Sequence, residues 1–123
     1  MRRMLLAILL TLPAVSAVTA EEQRRNFSIE DVISGFAQEK LFYFELLLKN
    51  GRYMEGSDSC SGSSPAAAVL LRQHCKKNRK FKNVFECSGD NQVMHVWFVY
   101  ENAATCEEFR RPMKDRMDAV RAQ

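Results

Sequence analysis

Four cysteines, two histidines and one acid-free stretch of cations are the residues of this 123-residue chain with chemistry to offer. Cys60, Cys75, Cys87 and Cys106 contain no C-x-x-C pair, which speaks against a thioredoxin-type redox centre. The histidines lack ligand spacing, and His74 and Cys75, adjacent on a helix, cannot easily hold one ion together. No metal and no cofactor is implied. An even set of cysteines in a short exported chain instead predicts two disulfides.

Acid–base and nucleophilic chemistry fare no better. His95 alternates with Val93, Trp97 and Val99, which marks a core or cavity histidine, and His74 falls on the inner face of a helix beside Cys75. Histidine is the side chain whose charge ordinarily changes near neutrality, so a pH-sensing role is one expectation for the pair. There is no G-x-S-x-G, and Gly56-Ser57-Asp58-Ser59 has no positioned base. No glycine loop follows a strand to cradle phosphate. Glu107-Glu108 sits at a helix start, where capping and the dipole explain it, and Asp115 and Asp118 fall on the exposed side of the same helix. No nucleophile, base and oxyanion donor come together, so no catalytic residue is assigned.

These residues must be positioned by a small exported body. Met1-Arg2-Arg3 is a positive start, Met4 to Leu12 an apolar run, and Pro13 precedes a small-residue region ending at Ala20. This is the pattern of a secretory signal over residues 1–20, leaving 21–123 as a single mature domain. About nine apolar residues are too few to cross a ~30 Å hydrocarbon core. The expected location is periplasmic or secreted, without a membrane span. Loss of Arg2 and Arg3 lowers the formal charge from +3 to about +1. Asn26-Phe27-Ser28 matches a glycosylation acceptor, relevant only in a eukaryotic host.

The first helix is predicted over Ser28 to Asn50. Ser28 and Asp31 form a capping-box-like start, Ile29, Val32, Ile33, Phe36, Leu41, Phe44 and Leu48 keep helical spacing, and Asn50-Gly51 supplies a stop. Arg52 to Ser64 reads as a Gly/Ser-rich loop pinned by Cys60. Ser64-Pro65 opens a second helix with Ala67, Leu70, Leu71, His74, Cys75 and Asn78 on one face. Arg72, Lys76, Lys77, Arg79, Lys80 and Lys82 follow with no acid among them; they complement the helix dipole or grip a polyanion.

Phe81 to Tyr100 alternates as a β-hairpin around Ser88-Gly89-Asp90-Asn91. Phe81, Asn83, Phe85 and Cys87 face one way. Val93 to Tyr100 is apolar on both faces, the mark of a central strand or one covered by a partner. Thr105 and Glu108 cap a third helix whose apolar spacing persists through Pro112. The class is therefore α+β: a small single domain, ααββα, with helices on an antiparallel hairpin and two disulfides. With the second helix antiparallel to the first hairpin strand, geometry pairs Cys60 with Cys87 and Cys75 with Cys106.

Gly51, Tyr53, Gly56 and Asp58 follow a glycine–tyrosine–glycine–aspartate pattern similar to part of one in periplasmic immunity proteins against secreted amidases. The likeness spans fewer than ten residues, and that family is all-helical where a hairpin is predicted here. It is not adopted.

The expectation is a non-enzymatic protein-binding module outside the cytoplasm, such as an inhibitor, immunity protein or secretion accessory. Its binding residues would be Arg52, Tyr53 and Asp58 in the loop, and Arg72, Lys76, Lys77, Arg79 and Lys80 at the basic helix end. The alternatives are an anionic polymer held by Arg72–Lys82 or, less favoured, a small hydrolase. A homodimer through the doubly apolar strand is also open.

Overall fold

The computed structural model describes residues 25–122, so the expected signal lies outside the described residues. Among the described residues three helices and six strands follow in the order α1 (Ile29–Ala37), β1 (Phe42–Lys49), β2 (Arg52–Gly56), β3 (Ser61–Gly62), α2 (Pro65–His74), β4 (Cys75–Lys77), β5 (Val84–Ser88), β6 (Val93–Tyr100) and α3 (Ala103–Arg121). The strands form one antiparallel sheet, ordered β2-β1-β6-β5-β4, with β3 pairing the start of β1. The α+β class holds, as do the three helices and the β5–β6 hairpin. The hairpin is the middle of a larger sheet, and β6 is a central strand as its two apolar faces require.

The long first helix is corrected. Ser28 and Asp31 close the capping box as expected, but the helix ends at Ala37. Glu39 takes a left-handed φ of 58°, its N–H bonds to Phe36 O, and Lys40 N–H reaches back to Gly35 O. These are the two bonds of a Schellman cap, made here with glutamate at the position glycine usually fills. Leu41 then folds over Gly35, where a Cβ would lie 2.5 Å from Leu41 Cδ1. Beyond it the chain runs as β1, and Asn50-Gly51, with φ of 52° and 79°, is a two-residue hairpin turn into β2 rather than a helix stop. The expected 52–64 loop accordingly contains β2 and β3.

α2 starts as expected, with Ser64 accepting from Ala67 N–H and Pro65 at the first position. Its buried residues are Ala67, Ala68 and Leu71, so the inward face is turned about one residue from the predicted one; Leu70 is 47% exposed and His74 is exposed. The helix stops at His74, and Cys75–Lys77 enters the sheet against β5. Register sets Cys75 directly across from Cys87, and the disulfides are Cys75–Cys87 and Cys60–Cys106. The expected pairing assumed a helix running the length of β5; the early turn into β4 removes that geometry.

Two cores lie on opposite faces of the sheet. Under α1 and α2, Phe36 stacks on Trp97 at 5.9 Å among Val32, Leu71, Phe85 and Val99. Under α3, Phe44 stacks on Phe98 at 4.6 Å beside Tyr100 and Cys106. The cap of α3 is Asn102, which accepts from Thr105 N–H, instead of Thr105 itself, and the helix continues unbroken through Pro112.

One asparagine redirects the sheet edge. Asn83 is buried with φ 57°, its Oδ1 accepting from Phe27 N–H at 2.8 Å and its Nδ2 donating to Arg25 O at 2.7 Å. The left-handed residue interrupts the alternation read from Phe81 onward. Phe85 and Cys87 go to the α1–α2 core, whereas Phe81 turns outward and is 58% exposed.

Candidate functional site

The loop residues singled out in the sequence are mostly engaged with α3. Tyr53 Oη donates to Asp118 Oδ1 at 2.6 Å, and Lys114 Nζ donates to Asp118 Oδ2 at 2.9 Å. Lys114 also lies 3.6 Å from the carboxylate of Asp58, a side chain 96% exposed. Arg52 is exposed at the hairpin tip. Asp118, expected on the open side of the helix, is thus half-buried against β2. Farther up α3, Glu107 accepts from Cys60 N–H at 2.6 Å and from Arg110 Nε at 2.9 Å, while buried Arg110 donates to Ser57 O at 3.0 Å. Glu107 therefore fastens the β2–β3 connection beside the Cys60–Cys106 bond.

This seam has a pH signature. Arg110, and then the Cys60 amide, hold the Glu107 carboxyl below its usual value; Tyr53, and then Lys114, do the same for Asp118. Depressed carboxyls contribute stability that is whole above their unfolded values near 4 and is lost as pH falls through the lowered folded ones. Burial, followed by the bond to Asp118, pushes Tyr53 up to about 12, and Asp118 raises Lys114. Their contribution is whole below about 10 and is lost as pH rises through the raised values. Hydrogen-exchange protection of α3 should be flat between these limits and fall on both sides. Tyr53→Phe should remove the phenolate absorbance that rises near pH 12 and shrink the part of the acid limb due to Asp118, which loses its hydrogen bond from Tyr53, while the part due to Glu107 stays.

The histidines share a second place. His95 Nδ1 meets Glu45 Oε1, and Trp97 Nε1 donates to the same oxygen at 3.3 Å. The His95 side chain is 38% exposed and lines a 290 Å³ pocket together with His74, Leu70, Ser88 and Gly89. His95 is thus a cavity-lining histidine, as expected, with its ring oriented by Glu45.

The basic residues do not form one patch. Arg72 lies beside Glu30 and Ile33 of α1. Lys77 Nζ donates to Asn26 Oδ1 and Phe27 O, each at 2.6 Å, and is engaged within the chain. Lys76 stands opposite Glu86 on the other side of the sheet, and Arg79, Lys80 and Lys82 lie exposed in the β4–β5 connection.

Next to that connection is the feature no single motif announced. Among the described residues α3 packs on β2, β1 and β6, and no element covers the β5–β4 side of the same face. The result is a 540 Å³ groove. Val84, Met94, Val96 and Phe98 line it from the sheet, and Phe109, Met113 and Met117 wall it from α3. The opposite wall is Asn78, Phe81 and Lys82. Asn78 shapes this wall by accepting from the Lys80 and Phe81 amides at 2.8 and 2.9 Å. Methionine thioethers are flexible and polarisable, suited to an apolar surface that must conform to its occupant. The signal that could have found the groove was the outward apolar face of β6, broader than the apolar stripe of α3.

Among the described residues no helix is long and apolar enough to cross a membrane. Comparison with protein-family models, curated proteins and solved structures finds no match to this chain.

Proposed function

We propose that this protein works by binding, outside the cytoplasm, and that its ligand is a small molecule with an apolar body held between α3 and the open half of the sheet. The observation that carries this is the groove itself: 540 Å³ with Met94, Val96, Phe98, Met113 and Met117 turned into it. Ligand sites are concave, mostly apolar and about 300–1,000 Å³ in volume. Two closed disulfides support an oxidising compartment. The residues expected to meet a protein partner, Tyr53 and Asp58, make contacts within the chain, and Tyr53 is held by Asp118. That favours the groove over the loop.

Uncharged phenylnaphthylamine, which brightens in apolar surroundings, should enter the mature protein saturably at one site. Met94→Arg and Met113→Arg, which place a charge in the groove from two different walls, should each weaken uptake at least about tenfold, the cost of burying a charge without a partner. Near-ultraviolet circular dichroism serves as the check on folding. Equal uptake by the wild type and both folded variants would refute the site.

A further inference from the structure

We infer that the groove takes a single-chain amphiphile with an anionic head, the head lying against the β4–β5 connection and the chain running between α3 and β6. The inference rests on the groove being the binding site and adds the chemistry of what it holds. Its ground is the asymmetry of the walls. The α3 wall is Phe109, Met113 and Met117, apolar throughout. The opposite wall carries Lys82 in the lining, Arg79 and Lys80 in the same connection, and Lys76 on the groove side of β4. Its one acid, Glu86, faces Lys76 across the β4–β5 pair and accepts from Asn78 Nδ2 at 3.4 Å. Among the described residues Lys76, Arg79 and Lys80 stand at that end against one engaged carboxylate, Glu86, which makes the end of an apolar trough complementary to an anion.

Phe81 joins the two characters, since its exposed ring lies 5.6 Å from the Lys80 ammonium. It offers an apolar collar at the place where chain would give way to head. Size selects the occupant further. A flexible chain suits the volume, and three methionines, Met94, Met113 and Met117, can follow it.

The test displaces phenylnaphthylamine with dodecanoate, dodecyl phosphate, dodecyl maltoside and dodecyltrimethylammonium, each below its micellar concentration. Both anions should displace the probe at concentrations about tenfold lower than the neutral and cationic amphiphiles, as a cationic rim in water allows. A carboxylate preferred over the phosphate, or the reverse, identifies the head. The variant Lys76→Gln/Arg79→Gln/Lys80→Gln/Lys82→Gln should lose that preference and keep its affinity for the probe. Added salt should weaken dodecanoate on the wild type and leave the maltoside unchanged, a readout that does not depend on the variant folding. Anions no better than the maltoside would overturn the inference and leave the groove standing. Failure of the probe itself to bind would remove both. Tighter binding of an alternating Glu-Leu peptide than of either anion would overturn it, as would a dimer in sedimentation that the maltoside dissociates.

Discussion

With Cys60 and Cys106 both replaced by serine, the unfolding free energy should fall by about 4 kcal/mol, the larger of the two disulfide losses. The bond closes a separation of 46 residues, against 12 for Cys75–Cys87. On the chain-entropy argument the long loop is worth about 4 kcal/mol and the short one about 3 kcal/mol. A domain of this size has about 5–15 kcal/mol in total. The long bond is also the covalent link between the β2–β3 connection and the start of α3, where Glu107 and Arg110 add their hydrogen bonds. Urea unfolding of the two double variants, followed by near-ultraviolet circular dichroism, measures the order. Hydrogen exchange should report lost protection along α3 in the Cys60/Cys106 variant and along β4 in the Cys75/Cys87 variant. A larger loss from cutting the short loop would mean that packing at the β4–β5 pair, not loop closure, sets the scale.

Asn83→Ala should cost about 3 kcal/mol without touching either core. Truncation removes the acceptor for Phe27 N–H and the donor to Arg25 O, and a buried group left unpaired costs about 1–3 kcal/mol. Alanine must also adopt the left-handed φ of 57°, a further ~1–2 kcal/mol. Asn83→Gly separates the contributions, since glycine accepts the backbone at no steric cost and loses only the side-chain bonds. Thermal or urea unfolding of the pair supplies both numbers. A loss under about 0.5 kcal/mol for alanine would place the strain and the bonds elsewhere. Because Asn83 also turns Phe81 toward the groove, the alanine variant should bind phenylnaphthylamine less tightly than the wild type at temperatures where both are folded.

The hairpin of β5 and β6 was readable because its alternation is clean and its turn residues tolerate positive φ; the face assignments of Val93 to Tyr100 follow directly. The start of α1 was readable from Ser28 and Asp31. Its end was not. Phe42 to Leu48 is apolar at every position but Glu45, so period 2 and period 3.6 fit equally well. The arbiter is a Schellman cap whose left-handed residue is Glu39, with no glycine to advertise it. Asn50-Gly51 was visible, and it is the strongest short-range hairpin signal there is; the helix assumed before it turned the same dipeptide into a stop. The cysteine pairing failed downstream of that kind of length error, because three residues of β4 decide which sulfur faces Cys87. The groove was illegible for a different reason. It belongs to no segment, arising where the apolar face of β6 extends beyond the width of α3.

The brevity of β4 has a bearing on how copies of this chain meet. A sheet margin invites another polypeptide to continue the ladder, the route to fibrils and swapped assemblies, unless it is short, charged or covered. Here the margin is three residues, Cys75–Lys77, two of them lysines, with its first residue clamped to the neighbouring strand. A stranger's backbone finds almost no template there and meets positive charge on arrival. An oily trough can thus lie beside this margin without the margin itself offering a ladder to a second copy.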